Sequence, residues 1–405
     1  MKELIGFEIK KLLRQKLIIY SVIVLLALNI FNIIQNNHQY LWGRDVSYNK
    51  ASYEVYKKVS GRLDKDKVSW LSENQQKLSY LISANLKIPD EYKNWGCTHH
   101  ELSQIFTEHL SEIERIYSYN SYIKDLINKN GEHFEITKTA GNDYLVKVNE
   151  KIASTYENRE INVYYDTDRF SAYLDYGFSS FVVLLIILLA VSSVFSGENE
   201  SGMSALHHST KKGRTELSIA KIIAVSVFIA VICLIFSFSD FITFKAVLRL
   251  QGYSAPVYSM SAYTDTPLKM SIGSFVILTE LIKMIGLIFV GLIICFMSSV
   301  MKKSFIVFSA GLVSSIGLML LSAYSNMYLD YVNLINPINL ITISVMFKQF
   351  KVINIMGYPV FNHTLTLFCC LFGMLSFALF IIAANNKNSR KTKKKGGLIC
   401  AGFKS

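Results

Sequence analysis

Charge is scarce in this chain, and unevenly so. Asp, Glu, Lys and Arg make up 18% of the 405 residues against 51% hydrophobic ones, and mean hydropathy is +0.31. A soluble domain carries about 25% charged residues, so an ordinary soluble fold is excluded. Six runs of roughly 18 to 22 residues are nearly free of charge, and a helix needs about 20 to cross a ~30 Å hydrocarbon core. They are Leu17–Ile34, Phe178–Ser196, Ile219–Ser239, Met284–Met301, Phe305–Ser325 and His363–Ala384. Proline is also rare. All five (Pro89, Pro256, Pro267, Pro337, Pro359) fall outside these runs, which allows the unbroken helices that lipid demands. Of six cysteines only Cys97 lies between residues 35 and 177, so that segment has no internal disulfide and stands on its own packing.

Catalytic signatures are missing too. No G-x-x-x-x-G-K-[ST] occurs, so no phosphate-cradling loop of that kind is present. His100-Glu101-Leu102-Ser103-Gln104 departs from the zinc-protease pattern H-E-x-x-H at its last position. With His99 and His109 nearby it reads as a solvated helix N-terminus instead. No Ser/His/Asp or Cys/His set stands out. We therefore expect no cofactor, no metal and no enzyme activity in this chain.

The net charge is +12, from 42 Lys and Arg against 30 Asp and Glu. Its placement predicts orientation. Residues 1–16, 197–221, 302–303 and the tail from 385 hold 18 Lys and Arg, whereas the two short connections on the other side hold five. By the positive-inside rule both termini are expected in the cytoplasm, facing anionic membrane lipids, with segment 35–177 outside. The Lys-rich tail (385–405) reads as a membrane-flanking stop rather than a nucleic-acid contact. The first apolar run is followed by Gln35, Asn36 and Asn37, not by small residues, so it is expected to be a retained anchor.

The predicted fold class is an α-helical polytopic membrane protein. Residues 1–16 (MKELIGFEIKKLLRQK) form an amphipathic interfacial helix. Residues 17–34 and 178–196 are the first two spans, and 197–218 is a loop between the second and third. Residues 219–384 hold spans three to six. The insert 35–177 has 18 basic and 21 acidic residues. Its apolar stripe Leu102, Ile105, Phe106, Leu110, Ile113, Tyr117 and Ile127 predicts helix, and Val55, Val59, Leu63, Leu71, Leu78 and Ile82 predict a looser one. Residues His133–Val148 alternate around Ala140-Gly141-Asn142-Asp143, which predicts a β-hairpin, so the domain is mainly helical with a small β element. Leu334–Phe350 is apolar but too short to cross. It is expected as a re-entrant or interfacial helix pair.

The spans carry little charge at mid-depth. Lys221 to Asp240 covers about 28 Å of helix, as does Lys283 to Lys302. Asp240, Glu280 and Lys283 are thus expected near the outer interface, with Glu280 and Lys283 able to pair at i, i+3 as a structural pair or as part of an outer pathway. Ion-coupled carriers place ionisable groups or broken helices near the midplane, so any driving energy is expected from elsewhere.

The loop Phe195–Ile222 reads FSGENESGMSALHHSTKKGRTELSIAKI. Its Glu198 or Glu200, Gly202, Leu206, Ser209-Thr210, Lys211-Lys212-Gly213-Arg214, Leu217 and Ala220-Lys221 resemble the first cytoplasmic loop of ABC-2-type transporter permeases. The order of elements agrees, including Asn336-Pro337 in the segment between the last two spans. The resemblance implies a bacterial cell-membrane permease subunit of an ATP-binding cassette exporter for an amphipathic substrate. It implies a coupling helix in this loop that docks on a separate cytoplasmic ABC ATPase, with Glu198, Glu200, Gly202, Leu206, Lys211, Lys212 and Arg214 as its contacts. It also implies a dimer with a second copy or a paralogue. The alternative is a non-transporting receptor or sensor whose insert binds a ligand or peptide.

Overall fold

The computed structural model describes residues 1–38, 45–87, 89–203, 215–324 and 329–401. Helix α1 (Lys2–Leu13) precedes α2 (Lys16–Asn36). The insert follows as α3 (Asp45–Val59), strand β1 (Gly61–Arg62), α4 (Lys65–Ser83), α5 (Asp90–Lys93), α6 (His99–Thr139), α7 (Asp143–Tyr156) and strand β2 (Val163–Tyr164). Then come α8 (Arg169–Leu174), α9 (Phe178–Val191), α10 (Ser193–Glu200), α11 (Thr215–Leu248), α12 (Ile272–Val300) and α13 (Ser304–Ala323). The chain ends with α14 (Leu329–Asn333), α15 (Ile338–Ile341), α16 (Ile343–Met346), strands β3 (Val352–Ile355) and β4 (Tyr358–Phe361), and α17 (Asn362–Ala401).

Six helical segments are long and apolar enough to cross a membrane: Lys16–Asn36, Arg169–Glu200, Thr215–Leu248, Ile272–Val300, Ser304–Ala323 and Asn362–Asn385. Each contains most of one of the six apolar runs. Three of them, Arg169–Glu200, Thr215–Leu248 and Ile272–Val300, extend well beyond their runs. The 34 residues of α11 extend about 50 Å at 1.5 Å per residue. Helix α12 starts at Ile272, twelve residues before its apolar run, because Glu280 and Lys283 are satisfied inside the helix packing. Helix α12 is central and touches α9, α10, α11, α13, α15 and α17. Its residue Gly286 lets the backbone of the 334–347 segment come close. A Cβ there would lie 2.9 Å from Pro337 O and 2.9 Å from Leu340 Cβ.

The insert is an α-helical body. Helix α6 runs 41 residues, about 60 Å. It starts on a capping box in which Thr98 and Glu101 bond each other's backbone N–H, which satisfies orphan donors of the first turn. Leu102, Ile105, Phe106, Ile113, Ile116, Tyr119 and Ile123 are buried along one face, against Val55, Val59, Leu71 and Leu78 of α3 and α4. Tyr117, expected on this stripe, is 48% exposed, and Ile116 and Tyr119 take its place.

The expected hairpin at 133–148 is absent. Those residues complete α6, turn, and begin α7. Gly141 has φ +68 and Asn142 N–H bonds Thr137 O while Gly141 N–H bonds Lys138 O, the Schellman ending of a helix. Asn142 then caps α7 through Leu145 N–H. Alternation in so short a window fits a helix pair equally well, and Gly-Asn serves a helix stop and restart as readily as a strand turn. The β structure of the insert is instead the two-residue pairing of β1 with β2. A hairpin, β3–β4, lies farther along the chain and turns through Met356 (φ +50) and Gly357 (φ +82). The expected helix pair over 334–350 is the short helices α15 and α16, with α14 before them, packed mostly on α12 and α13.

The insert rests on both other connections at its end of the bundle. Arg115 Nη2 donates to Ser259 O at 2.8 Å, Arg159 Nη1 to Thr266 O at 2.8 Å, and Tyr156 Oη to Asp265 O at 2.8 Å. From α7, Lys147 Nζ donates to Gly357 O and Lys151 Nζ to Pro359 O, each ammonium also lying over an aromatic ring of β4.

Candidate functional site

Two polar layers bracket an apolar middle. The first gathers where α1, α10, α11, α12 and α13 meet. Helix continuity between α9 and α10 breaks at Ser192. There the Ser298 hydroxyl of α12 accepts from Phe195 N–H and Ser196 N–H, both at 3.1 Å, and donates to Ser192 O at 2.8 Å. A side chain inserted into the helix ladder in this way bends a helix at a fixed place.

One turn further, Glu198 is buried and holds two cations. Lys221 Nζ of α11 lies 2.5 Å from one carboxylate oxygen and Lys11 Nζ of α1 lies 2.7 Å from the other. Lys221 is 1% exposed. It also donates to Val194 O at 3.0 Å and lies 4.5 Å from the Phe195 ring. Glu8 completes the group at 4.0 Å from Lys11. Two acids and two bases thus neutralise each other in a place where an unpaired charge would be costly. Glu200 accepts from Ser304 N–H at 2.8 Å and Ser304 Oγ at 3.0 Å, at the start of α13, where an anion is favoured by the helix dipole. Gly202 then turns the chain out with φ +72.

Of the loop residues singled out in the sequence, Glu198 and Glu200 are therefore bonded within the chain, at the root of the loop, rather than displayed on it. Leu206, Lys211, Lys212 and Arg214 lie outside the described residues. Sequence reasoning used Lys221 in the loop motif and as a depth marker and counted Lys11 among the basic residues, but it paired neither with Glu198. A lysine inside the start of one apolar span and two glutamates at the end of the preceding one mark the members, but nothing in the sequence pairs them.

The second layer lies on the insert side, about 28 Å along α11 from Lys221. Glu280 and Lys283 pair at 2.8 Å, as their spacing predicted. The carboxylate also accepts from Tyr173 Oη at 3.1 Å and Ser237 Oγ at 2.5 Å. Beside them Asn29 of α2 donates to Asp240 Oδ1 at 2.5 Å, and Tyr176 Oη donates to Asn29 Oδ1 at 2.9 Å. Asn29, like Asn32, sits in a largely apolar run, a signal the sequence reading left unweighed. A groove of about 690 Å³ opens beside Glu280 between α11 and α12. Leu234, Phe238, Ile277 and Leu281 form its apolar walls, and Tyr173 and Ser237 border its polar floor. Its size is in the range of small-molecule sites.

Glu101 is engaged in the capping box, and among the described residues no group of three or more His, Cys, Asp or Glu converges. His109 is instead a buried structural histidine. Its Nδ1 lies 2.6 Å from Tyr164 Oη and its Nε2 3.1 Å from Ser52 O. Burial holds it below the usual histidine range, against the opposing pull of the Ser52 carbonyl, Asp166 and Glu108. Cys97 is buried, and burial pushes its thiol up, so it is a poor nucleophile.

The chain matches no family model. A search of curated proteins likewise finds no match.

Proposed function

We propose that this chain is the membrane-spanning permease subunit of an ATP-binding cassette exporter, with both termini in the cytoplasm and a separate ATPase docking on the loop 197–218. The observation that carries the reading is the neutral joint Lys11–Glu198–Lys221 at the root of that loop. Through it a push on the loop reaches α1, α10 and α11 together. The rigid link matters because the chain has no phosphate-cradling motif of its own and the stretch between the two polar layers is apolar. The groove beside Glu280 is a fitting place for an amphipathic substrate, with apolar walls and a hydroxyl- and carboxylate-bearing floor. Two copies, or one with a paralogue, complete the pathway, and the insert covers its outer end.

The test is co-purification with an ABC ATPase, followed by charge reversal at Lys211, Lys212 and Arg214. The triple reversal is expected to abolish co-purification and ATP-dependent transport while leaving membrane insertion intact. Unchanged co-purification and transport would refute docking at this loop.

A further inference from the structure

The insert meets the 256–266 connection and the 334–350 segment around a cleft that shares no lining residue with the groove beside Glu280. The cleft measures about 660 Å³, in the range of small-ligand sites. One face of α6 forms its floor, where Tyr122, Asp125, Leu126, Lys129, Asn130 and His133 recur every three or four residues. Asn149, Ile152 and Tyr156 of α7 form a wall with the same spacing. Asp265, Gln349 and Phe350 close the third side.

The lining is sorted along α6. At one end Tyr122 Oη donates to Asp265 Oδ1 at 3.1 Å and Tyr156 Oη donates to Asp265 O at 2.8 Å. The Phe350 ring lies 5.9 Å from that of Tyr156. Asp125 sits one turn from Tyr122 on the same face, so two carboxylates and three aromatic rings gather here. Lys129 and His133 follow one and two turns further on and bring N–H donors. His133 is eight residues from Asp125, about 12 Å of helix. Among the described residues, Asp125, Lys129 and His133 engage their side chains in no hydrogen bond or ion pair.

Between the two ends stand acceptors. Asn130 and Asn149 are only 8% and 9% exposed, and both line the cleft. Asn130 Nδ2 donates to Asn149 O at 2.8 Å, and Asn149 Nδ2 donates to Thr137 Oγ1 at 3.1 Å. Their side-chain carbonyl oxygens have no partner among the described residues. A buried acceptor without a donor is costly, and an N–H from a ligand would satisfy it.

We infer that this cleft binds a short peptide of about four residues with both termini free. The peptide's ammonium lies between Asp125 and Asp265, and its first side chain among Tyr122, Tyr156 and Phe350. Its backbone N–H groups meet Asn130 and Asn149, and its carboxylate meets Lys129 and His133. Four extended residues span about 13 Å at ~3.3 Å each, which matches the separation of the two charged ends. A simple amine leaves the basic end and the amide oxygens unused, and a simple anion leaves the acidic end unused. The bound peptide touches α6, α7 and both connections at once, so it fastens the insert to the bundle.

The test uses the purified full-length protein and a tetrapeptide of phenylalanine followed by three alanines. The protein's three tryptophans, Trp42, Trp70 and Trp95, all fall in the insert and report its unfolding. A saturable rise of about 2–4 °C in the unfolding midpoint is expected with the free peptide. Acetylating its amine, or amidating its carboxyl, is expected to raise the half-saturating concentration about tenfold or more. Asp125→Asn is expected to shrink the acetylation penalty several-fold and keep the amidation penalty, and Lys129→Gln to do the reverse. Both side chains are exposed, so the variants are expected to fold. A doubly blocked peptide that binds as well as the free one would overturn the assignment to a peptide with free ends. Penalties unchanged in both variants would overturn its placement on α6. No saturable rise with the free tetrapeptide would overturn the site altogether.

Discussion

At the scale of single residues, Lys221 and Glu198 show how a charge is tolerated at the margin of an apolar bundle. Each is buried and each is the other's main partner, with Lys11 adding a second cation at 2.7 Å. Removing one partner leaves an uncompensated buried charge, which typically costs about 3–5 kcal/mol. Lys221→Met and Glu198→Gln are each expected to lower the unfolding midpoint in detergent strongly, and the double variant to cost clearly less than the two singles added. An additive double-mutant cycle would show that the pair is not coupled. His109 gives a pH dependence of known sign. Its folded-state pKa lies below the unfolded value of about 6.5. As pH falls below about 6.5 the unfolded state takes up a proton that the folded state resists, so stability declines toward acid. Tryptophan-monitored unfolding of the full-length protein is expected to show this loss as pH falls below about 6.5, and His109→Gln to flatten it.

At the scale of elements, close approach matters as much as hydropathy. Gly286 lies on the central helix α12, where Pro337 O and Leu340 Cβ leave no room for a methyl group. Gly286→Ala is expected to cost about 1–3 kcal/mol through overpacking, read as a lower midpoint and faster proteolysis of the 325–350 segment. Ala at Gly317, where a Cβ meets nothing within 4 Å, is the matched control and should change neither. The membrane-spanning helices were legible in the sequence because lipid imposes length and apolarity on each span separately. Their ends were less so. Span four begins before its apolar run because a carboxylate, an ammonium, a serine and a tyrosine from three helices satisfy one another, a tertiary fact. The 133–148 turn was misread for a local reason. Gly141 and Asn142 close one helix and open the next with the same residue types that turn a hairpin. What tips the balance is the pair of buried asparagines, Asn130 and Asn149, that tie α6 to α7.

At the scale of the whole molecule, the two polar layers divide the chain into an apolar slab and two wetter ends. The charge count in the sequence anticipated that division, and the Glu280–Lys283 pair could be read from i, i+3 spacing. The joint at Lys11–Glu198–Lys221 could not, because its members are far apart in the chain and only packing brings α1 beside α10 and α11. The same is true of the insert, whose arginines and lysines reach connections that lie far downstream.

That reach sets a schedule for synthesis. Lys151 bonds Pro359, 208 residues later in the chain, and a ribosome adds about 5–20 residues per second. The insert is thus complete as a sequence roughly 10 to 40 s before its last support exists. During that interval Lys147 and Lys151 lack their partners on the β3–β4 hairpin, and the insert relies on the α3, α4 and α6 packing. Closure of this face therefore waits for the fifth span and the hairpin behind it, and it precedes the placement of the sixth.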